Sequence, residues 1–433
     1  MVKTPSKKKA AASFTQKLAA VGAEGEQARL SALPEGGPPL PEPSERGYCR
    51  GAPSPADPGR TARIYYELHT NAPPGAEPGL ARRDVRLVML MGLACPLEGW
   101  QTQLRFFTGQ SGGRGFEMQE GLRDRVVCCV IDNRGVGRSS APEDRRAYSM
   151  EVMAEDVAGV MDHLGWERAH VMGHSMGSMI ATRFAAAHPH RVRSLTLIST
   201  SGGGLDFIPP WKGLKMMLWF LLQRQTVQAR ADFDLMCHFT KKWMRHHVPH
   251  DVPDSPALKN VRPEELLTVS AGDFSPVTTR RQSLRNEYIR SSEEGVTAQK
   301  PEGLNGQLHA VLRHKVTDRD IRLLKQYHFP ISLIHGTKDK IVSLKAGQKL
   351  AKRLGNRAQM LQVYGAHFVH RECTAEVNAA IQLQVLSSES REDFDGNLST
   401  ILETSREWRG SGSVRDPTGA TKREGHALEP EFV

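Results

Sequence analysis

Short apolar runs, separated from one another by stretches of helical periodicity, recur along most of this chain. The predicted strands cover residues 62–68, 86–91, 126–131, 169–172, 195–198, 331–335 and 360–363. The predicted helices between and after them cover residues 150–164, 175–188, 344–354 and 374–385. Runs without polar alternation suit strands that are buried on both faces. The alternation therefore predicts an α/β fold with a mostly parallel central sheet, helices on both faces, and residues 62–68 as an edge strand.

One long stretch interrupts this alternation. Between residues 202 and 329 the strand signals disappear, and the sequence is basic, irregular and helical. Because the interruption lies between two predicted strands, we interpret it as a helical lid (cap) inserted into a single core of residues 61–201 and 330–390. Both ends of the insertion leave the same edge of the sheet, so we expect a mobile lid over any site at that edge.

The two ends of the chain differ from this core in composition. Residues 1–60 are rich in Pro, Gly, Ala and charge, and residues 391–433 are polar and Gly-rich, which predicts two disordered tails. Five lysines precede the first acidic residue, Glu24, so part of the net charge of +10 lies in the N-terminal tail. An organelle transit peptide is the alternative interpretation of that tail.

Composition and spacing exclude several classes of partner. No apolar run approaches the roughly 20 residues that span a bilayer, so stable membrane insertion is not expected. Peripheral contact between the basic lid and anionic lipid remains the alternative. No nucleic-acid-binding module is present, and we expect no nucleic-acid partner. The six cysteines show no framework spacing, which is typical of reduced thiols in an intracellular, cytoplasmic protein.

The clearest chemical motif is Gly173-His174-Ser175-Met176-Gly177, which fits the Gly-x-Ser-x-Gly nucleophile elbow. A predicted strand runs directly into it and a predicted helix runs out of it. The glycines are needed because such a turn brings the backbones of strand and helix too close for side chains. We therefore predict Ser175 as a nucleophile; the alternative is an ordinary glycine-lined turn.

A serine hydroxyl needs a base, and the base needs an acid that fixes its tautomer. Asp339 and His367 follow two later predicted strands in the required Ser–Asp–His order. Both lie at the carboxyl ends of their strands, the edge at which open α/β sheets bind ligands. We predict Asp339 as the acid, with Asp206 as its rival, and His367 as the base, with His370 as its rival.

An oxyanion also needs two preorganised donors. The backbone N–H of Met176, immediately after the nucleophile, is one candidate. The N–H of Leu93 is the other, because Gly92 lets the chain turn toward the site after the strand that ends at Met91.

These motifs together resemble a known family, the α/β-hydrolase fold-1 superfamily. Within it they resemble the esterase branch that includes enol-lactonases and aminoacrylate hydrolases. The resemblance covers roughly residues 62–387 and rests on these segments: Gly92-Leu93 to Trp100-Gln101, Asp132-Asn133-Arg134-Gly135-Val136-Gly137, Gly173 to Gly177, Gly303-Leu304-Asn305-Gly306-Gln307, His335-Gly336 with Asp339, and Gly365-Ala366-His367. The chain departs from the family in having Met91-Gly92 where His-Gly is usual. Members with acyltransferase-like sites carry an aspartate five residues after the base, where this chain has Glu372.

The resemblance implies a serine hydrolase that cleaves a small-molecule carboxylic ester or lactone through an acyl-enzyme, with no cofactor and no metal ion. We expect four residues to line the substrate pocket: Trp100, Trp219, Phe220 and Gln307.

Three other interpretations remain open. An amide or peptide hydrolase of the same fold needs an acid in the lid, for which the sequence offers Glu264, Glu265, Glu293 and Glu294. A non-catalytic receptor would use the same pocket only for binding. A metal site is the third, but its candidate ligands match no zinc spacing and lie among lysines and arginines: Cys237, His238, His246, His247, His250 and Asp251.

Overall fold

The computed structural model describes residues 41–54, 57–72, 84–109, 118–123, 126–207, 226–245, 279–294 and 300–390. Its eight strands form one sheet in the order β1-β2-β4-β3-β5-β6-β7-β8. The strands are β1 (Glu45–Ser54), β2 (Asp57–Thr70), β3 (Val85–Leu90), β4 (Val126–Ile131), β5 (Ala169–His174), β6 (Val192–Ile198), β7 (Ile331–Gly336) and β8 (Ala358–Val363). Strands β3 to β8 run parallel, whereas β2 runs antiparallel to both of its neighbours.

The helices of the described residues are α1 (Gln101–Phe107), α2 (Met150–His163), α3 (Met176–Ala187), α4 (Val227–His238), α5 (Lys241–Met244), α6 (Arg280–Glu294), α7 (Pro301–Arg313), α8 (Asp318–Gln326), α9 (Leu344–Leu354), α10 (Val369–Glu372) and α11 (Thr374–Ser390). None of these is both long enough and apolar enough to cross a membrane.

Both faces of the sheet are apolar, which explains the runs without polar alternation. In β3, Val88 and Leu90 belong to one buried cluster, with residues of α2, α3, α8 and α9. Leu87 and Met89 belong to a second buried cluster, with residues of α1 and α11. Successive residues of a strand point to opposite faces, so each strand contributes to both clusters. The predicted mostly parallel sheet with helices on both faces is confirmed.

The predicted N-terminal boundary is wrong. Residues 45–54, assigned to the 1–60 tail, form β1, and residues 62–68 lie inside β2 rather than at the sheet edge. An edge strand buries fewer side chains, so β1 keeps a polar, Gly- and Pro-containing sequence in which Cys49 and Ala52 are buried. Residues 57–60 of that predicted tail begin β2, and residues 1–40, 55–56 and 391–433 of the two predicted tails lie outside the described residues.

A buried ion pair fastens β1 to the rest of the fold. Arg134 bonds both carboxylate oxygens of Asp156, through Nε at 2.9 Å and Nη2 at 2.6 Å. The backbone of Ala52 in β1 completes the cluster: its N–H donates to Asp156 at 2.7 Å, and its carbonyl accepts from Arg134 at 2.8 Å. Arg134 therefore ties together β1, the turn that carries it and α2.

Replacing Asp156 with alanine should lower the free energy of unfolding by about 3–5 kcal/mol, because it leaves the Arg134 charge buried and unpaired. Chemical denaturation monitored by circular dichroism measures the effect. Asp162→Ala on the same helix is the matched control: its ion pair with Arg191 involves a carboxylate that is 67% exposed, and such pairs contribute about 0–1 kcal/mol. Equal losses in the two variants would contradict the assignment of Asp156 as the anchor of β1.

The predicted insertion has two structurally different parts. Helices α4 and α6, called the cap helices below, contact each other. Helices α7 and α8, by contrast, contribute Val311, Ile321 and Leu324 to the same buried cluster as the sheet. The boundary at residue 329 is therefore too late, because the chain packs on the core from about α7 onward. No strand separates α7 from α8, so the sequence pattern carries no signal for this return to the core.

Candidate active site

Ser175 lies between the end of β5 and the start of α3 with φ 53° and ψ −116°. A positive φ is unfavourable for a residue with a Cβ, so the surrounding structure has to hold this turn. A Cβ on Gly173 would overlap the Gly177 carbonyl, and one on Gly177 would overlap the Leu90 carbonyl. Strand and helix can approach this closely only because both positions are glycine.

Asp339 and His367 form a buried hydrogen-bonded pair near this turn. The Nδ1 atom of His367 lies 2.8 Å from Oδ2 of Asp339. The other carboxylate oxygen, Oδ1, accepts from the backbone N–H groups of Ile341 at 2.8 Å and Val342 at 2.9 Å. These bonds fix the carboxylate, which in turn fixes the orientation of the imidazole ring.

The backbone of His367 is held against the serine turn. Its carbonyl accepts from Oγ of Ser199 at 2.8 Å and bonds Nε2 of His174 at 3.0 Å. His174 immediately precedes Ser175, and its ring centroid lies 4.8 Å from that of His367. The three predicted residues Ser175, Asp339 and His367 therefore come together at one end of the sheet.

The Asp339 carboxyl group is ionised at neutral pH. Burial by itself would raise its pKa, but the adjacent His367 and the hydrogen bonds described above outweigh burial and lower the pKa below its ordinary value. His335 was not predicted as a site residue, yet its Nε2 lies 3.5 Å from Oδ2 of Asp339. Its position four residues before Asp339 was the available signal.

The turn after β3, predicted to supply an oxyanion donor, lies beside Ser175. A Cβ on Gly92 would lie 3.2 Å from the Ser175 Cβ, which puts the turn beside the serine. The N–H of Ala94 donates to Oε1 of Gln307 at 2.9 Å, and the N–H of Cys95 donates to the Gly92 carbonyl at 3.3 Å. Within the described residues, the N–H of Leu93 has no such acceptor.

The family model described as alpha/beta hydrolase fold matches residues 107–372, more than half of the chain. The chain belongs to the alpha/beta hydrolase fold family. A proposed carbamate hydrolase, RutD, of Azorhizobium caulinodans is 39% identical over 105 residues, which cover 24% of this chain and 39% of that protein. The 2-hydroxy-6-oxononadienedioate/2-hydroxy-6-oxononatrienedioate hydrolase 2 of Pseudomonas putida is 39% identical over 160 residues, which cover 36% of this chain and 49% of that protein. The chain thus spans less than half the length of these two relatives.

Among solved structures, the fold is similar to that of a thermophilic esterase from Thermogutta terrifontis with malate bound. The two share 17% sequence identity at a TM-score of 0.51, over 80% of this chain and 99% of the esterase chain. At this identity the likeness extends to the alpha/beta hydrolase fold alone.

Gln307 and Trp100, predicted to line the substrate pocket, are both buried. The Gln307 side chain is fully buried, and its amide also donates to the Arg134 carbonyl at 2.8 Å, so it holds the turn at Ala94 against the turn at Arg134. Trp100 is fully buried in the apolar cluster under α1 and contacts the His370 ring at 5.2 Å. Trp219 and Phe220 lie outside the described residues.

The two rival site residues have other partners. Asp206 bonds Nζ of Lys349 at 3.1 Å. His370 is fully buried; its Nε2 lies 3.3 Å from the Gly99 carbonyl, and burial lowers its pKa to about 3. Cys237 and His238 are the described members of the metal-site hypothesis, and no group of three potential ligands occurs within the described residues.

Proposed function

We propose that this protein is a serine hydrolase that cleaves a small carboxylic ester or lactone through an acyl-enzyme. The observation that carries the proposal is a serine held at positive φ in a glycine-flanked elbow, with the buried Asp339–His367 pair fastened beside it. Nucleophile, base and orienting acid are the three groups that acyl transfer requires.

In the proposed mechanism, Ser175 Oγ attacks the carbonyl carbon while Nε2 of His367 takes the hydroxyl proton. The ionised Asp339 holds Nδ1–H of His367 and stabilises the imidazolium that forms. The N–H groups of Leu93 and Met176 donate to the oxyanion. His367 then gives the proton to the leaving alkoxide. In the second half-reaction it takes a proton from the water that attacks the acyl carbon, and it returns this proton to Ser175 Oγ as the ester bond to the serine breaks and the carboxylic acid leaves.

The names of the two relatives support a hydrolytic reaction, but they do not indicate which type of bond this protein cleaves. Both are hydrolases, one of a carbamate and one of a 2-hydroxy-6-oxo acid. We favour an ester or lactone substrate over an amide, because the hypothesis of an amide or peptide hydrolase requires an acidic residue in the cap that binds the amine of the substrate. Of the four candidate acids, Glu264 and Glu265 lie outside the described residues, and Glu293 and Glu294 lie at the C-terminal end of α6.

A fluorophosphonate probe tests the proposal directly, because it labels a serine only when a base has activated it. We expect the full-length protein to be labelled at Ser175 and to hydrolyse members of a panel of short- and long-chain p-nitrophenyl esters. A protein that binds ligands without catalysis would neither be labelled nor turn over any ester. Cleavage of matched anilides at rates equal to the esters would favour an amidase instead.

Asp339→Asn should reduce kcat by about 10⁴-fold, because the asparagine amide stabilises the wrong imidazole tautomer. The variant should also change the pH dependence of stability. A carboxylate with a lowered pKa stabilises the fold above its unfolded-state pKa, and this contribution disappears as the pH falls through the folded-state pKa. The variant should therefore lose less stability than the wild type on acidification, as measured by thermal unfolding at several pH values. Asp318→Asn, whose carboxylate is 89% exposed, should change neither property.

A further inference from the structure

The C-terminal end of cap helix α4 is bonded to both loops that carry the candidate acid and base. Nζ of Lys340, the residue after Asp339, donates to the Met236 carbonyl at 2.5 Å. The N–H of Phe368, the residue after His367, donates to the His238 carbonyl at 3.0 Å. One short cap segment, residues 236–240, thus contacts both halves of the Asp339–His367 pair.

Glu372 adds a carboxylate to this junction from α10, the short helix that follows His367. Its Oε2 accepts from the N–H of Ala366 at 2.9 Å and from the N–H of Thr240 at 3.2 Å. Its Oε1 accepts from the Thr240 hydroxyl. A single carboxylate therefore links the residue before His367 to the cap, and hydrogen bonds to a charged acceptor are stronger than neutral ones.

Apolar contacts close the same junction. The Phe368 ring packs against two rings of the cap segment. Its centroid lies 4.3 Å from that of His238 and 5.7 Å from that of Phe239. Phe239 belongs to a separate buried cluster within the cap, against which Phe368 packs. The His238 ring also lies 5.7 Å from the His367 ring. Segment 236–240 therefore packs directly against the loop that carries His367.

We propose that Glu372 is a positioning residue, which clasps cap segment 236–240 to the His367 loop through Thr240 and so holds His367 in line with Ser175. This proposal rests on the function proposed above. The carboxylate fixes the backbone on the N-terminal side of His367, while the cap bond to Phe368 fixes the C-terminal side. Release of the clasp leaves the imidazole bonded to Asp339 but frees the loop to move relative to the elbow.

The test compares Glu372→Gln and Thr240→Val in the full chain. The glutamine oxygen is an uncharged and therefore weaker acceptor for the N–H groups of Ala366 and Thr240, so we expect kcat for a p-nitrophenyl ester to fall by about 10- to 100-fold, the loss typical of a small misplacement of a catalytic group. KM should change little, because the clasp does not contact the ester. The rate at which fluorophosphonate labels Ser175 should fall in parallel. Thr240→Val should give a smaller loss of the same kind, and the double variant should be no slower than Glu372→Gln.

Two controls make the same chemical changes elsewhere. Asp320→Asn removes a buried carboxylate that caps α8 and bonds Arg183, and Thr226→Val removes the N-cap hydroxyl of α4. Both should lower the melting temperature while leaving kcat and the labelling rate unchanged. If the clasp variants lose only stability, as these controls do, Glu372 is a structural residue and the proposal is overturned; Thr240→Val alone decides this if Glu372→Gln does not fold. A wild-type protein that is neither labelled nor active would instead overturn the proposed function.

Discussion

Replacing Ser175 with alanine should reduce ester turnover by about 10⁶-fold, the loss seen when a triad nucleophile is removed from a hydrolase. The reason is chemical rather than structural: alanine occupies the same strained backbone position but has no oxygen to attack the carbonyl. We therefore expect the variant to unfold at the wild-type temperature, to bind substrate, and to resist fluorophosphonate labelling. Steady-state kinetics on the best ester of the panel, with intact-protein mass spectrometry after labelling, measures both effects.

Ser149→Ala is the matched control for that variant. Ser149 caps α2 by accepting from the N–H of Val152 at 3.1 Å, so its loss should cost about 1 kcal/mol of stability and leave kcat unchanged. If Ser175→Ala retained more than about one part in a thousand of the wild-type rate, far above the roughly one part in a million expected after loss of a triad nucleophile, Ser175 would not be the nucleophile.

The sequence predicted the parallel part of the sheet because its strands are buried on both faces. Val88 and Leu87 point to different apolar clusters, and both are fully buried. Such a strand has no solvent-exposed face, so no polar residues interrupt its apolar run in the sequence. The sequence missed β1 for the opposite reason. An edge strand with few buried residues, held in part by the buried pair of Arg134 and Asp156, carries no hydrophobic pattern of its own.

The candidate site divides in the same way. Ser175, Asp339 and His367 were predictable because each follows a recognisable strand, and parallel strands deliver their carboxyl ends to one edge. Gln307 was predicted to line the pocket, yet its amide is engaged by the backbone of two turns more than 170 residues away along the chain. Glu372 gave no functional signal, because its partner Thr240 lies 132 residues away. Contacts of this kind depend on the folded arrangement and leave no local pattern.

His367 and His370 present the sharpest remaining distinction, because they lie three residues apart and are both buried. His367→Ala should reduce turnover about as severely as the loss of Ser175, by about 10⁶-fold, since the serine loses its base. His370→Gln should leave kcat close to wild type: the ring has a pKa near 3 and bonds the Gly99 carbonyl, and the glutamine amide can donate to the same oxygen. A fall in melting temperature without a fall in kcat is the signature of a buried structural residue.

The centroid of the His370 ring also lies 5.2 Å from that of Trp100 and 4.5 Å from that of His174. Comparison of His367→Ala with His370→Gln therefore needs a measurement that separates a loss of catalysis from a loss of packing. The fluorophosphonate labelling rate per folded molecule provides it, because labelling requires an activated serine but no ester binding. We expect His367→Ala to abolish labelling at every pH, and His370→Gln to keep both the rate and its pH profile. The reverse result would make His370 the base and leave His367 as the residue that positions the loop. Because Asp339 bonds only His367 of the two, Asp339→Asn would then lose its expected effect as well.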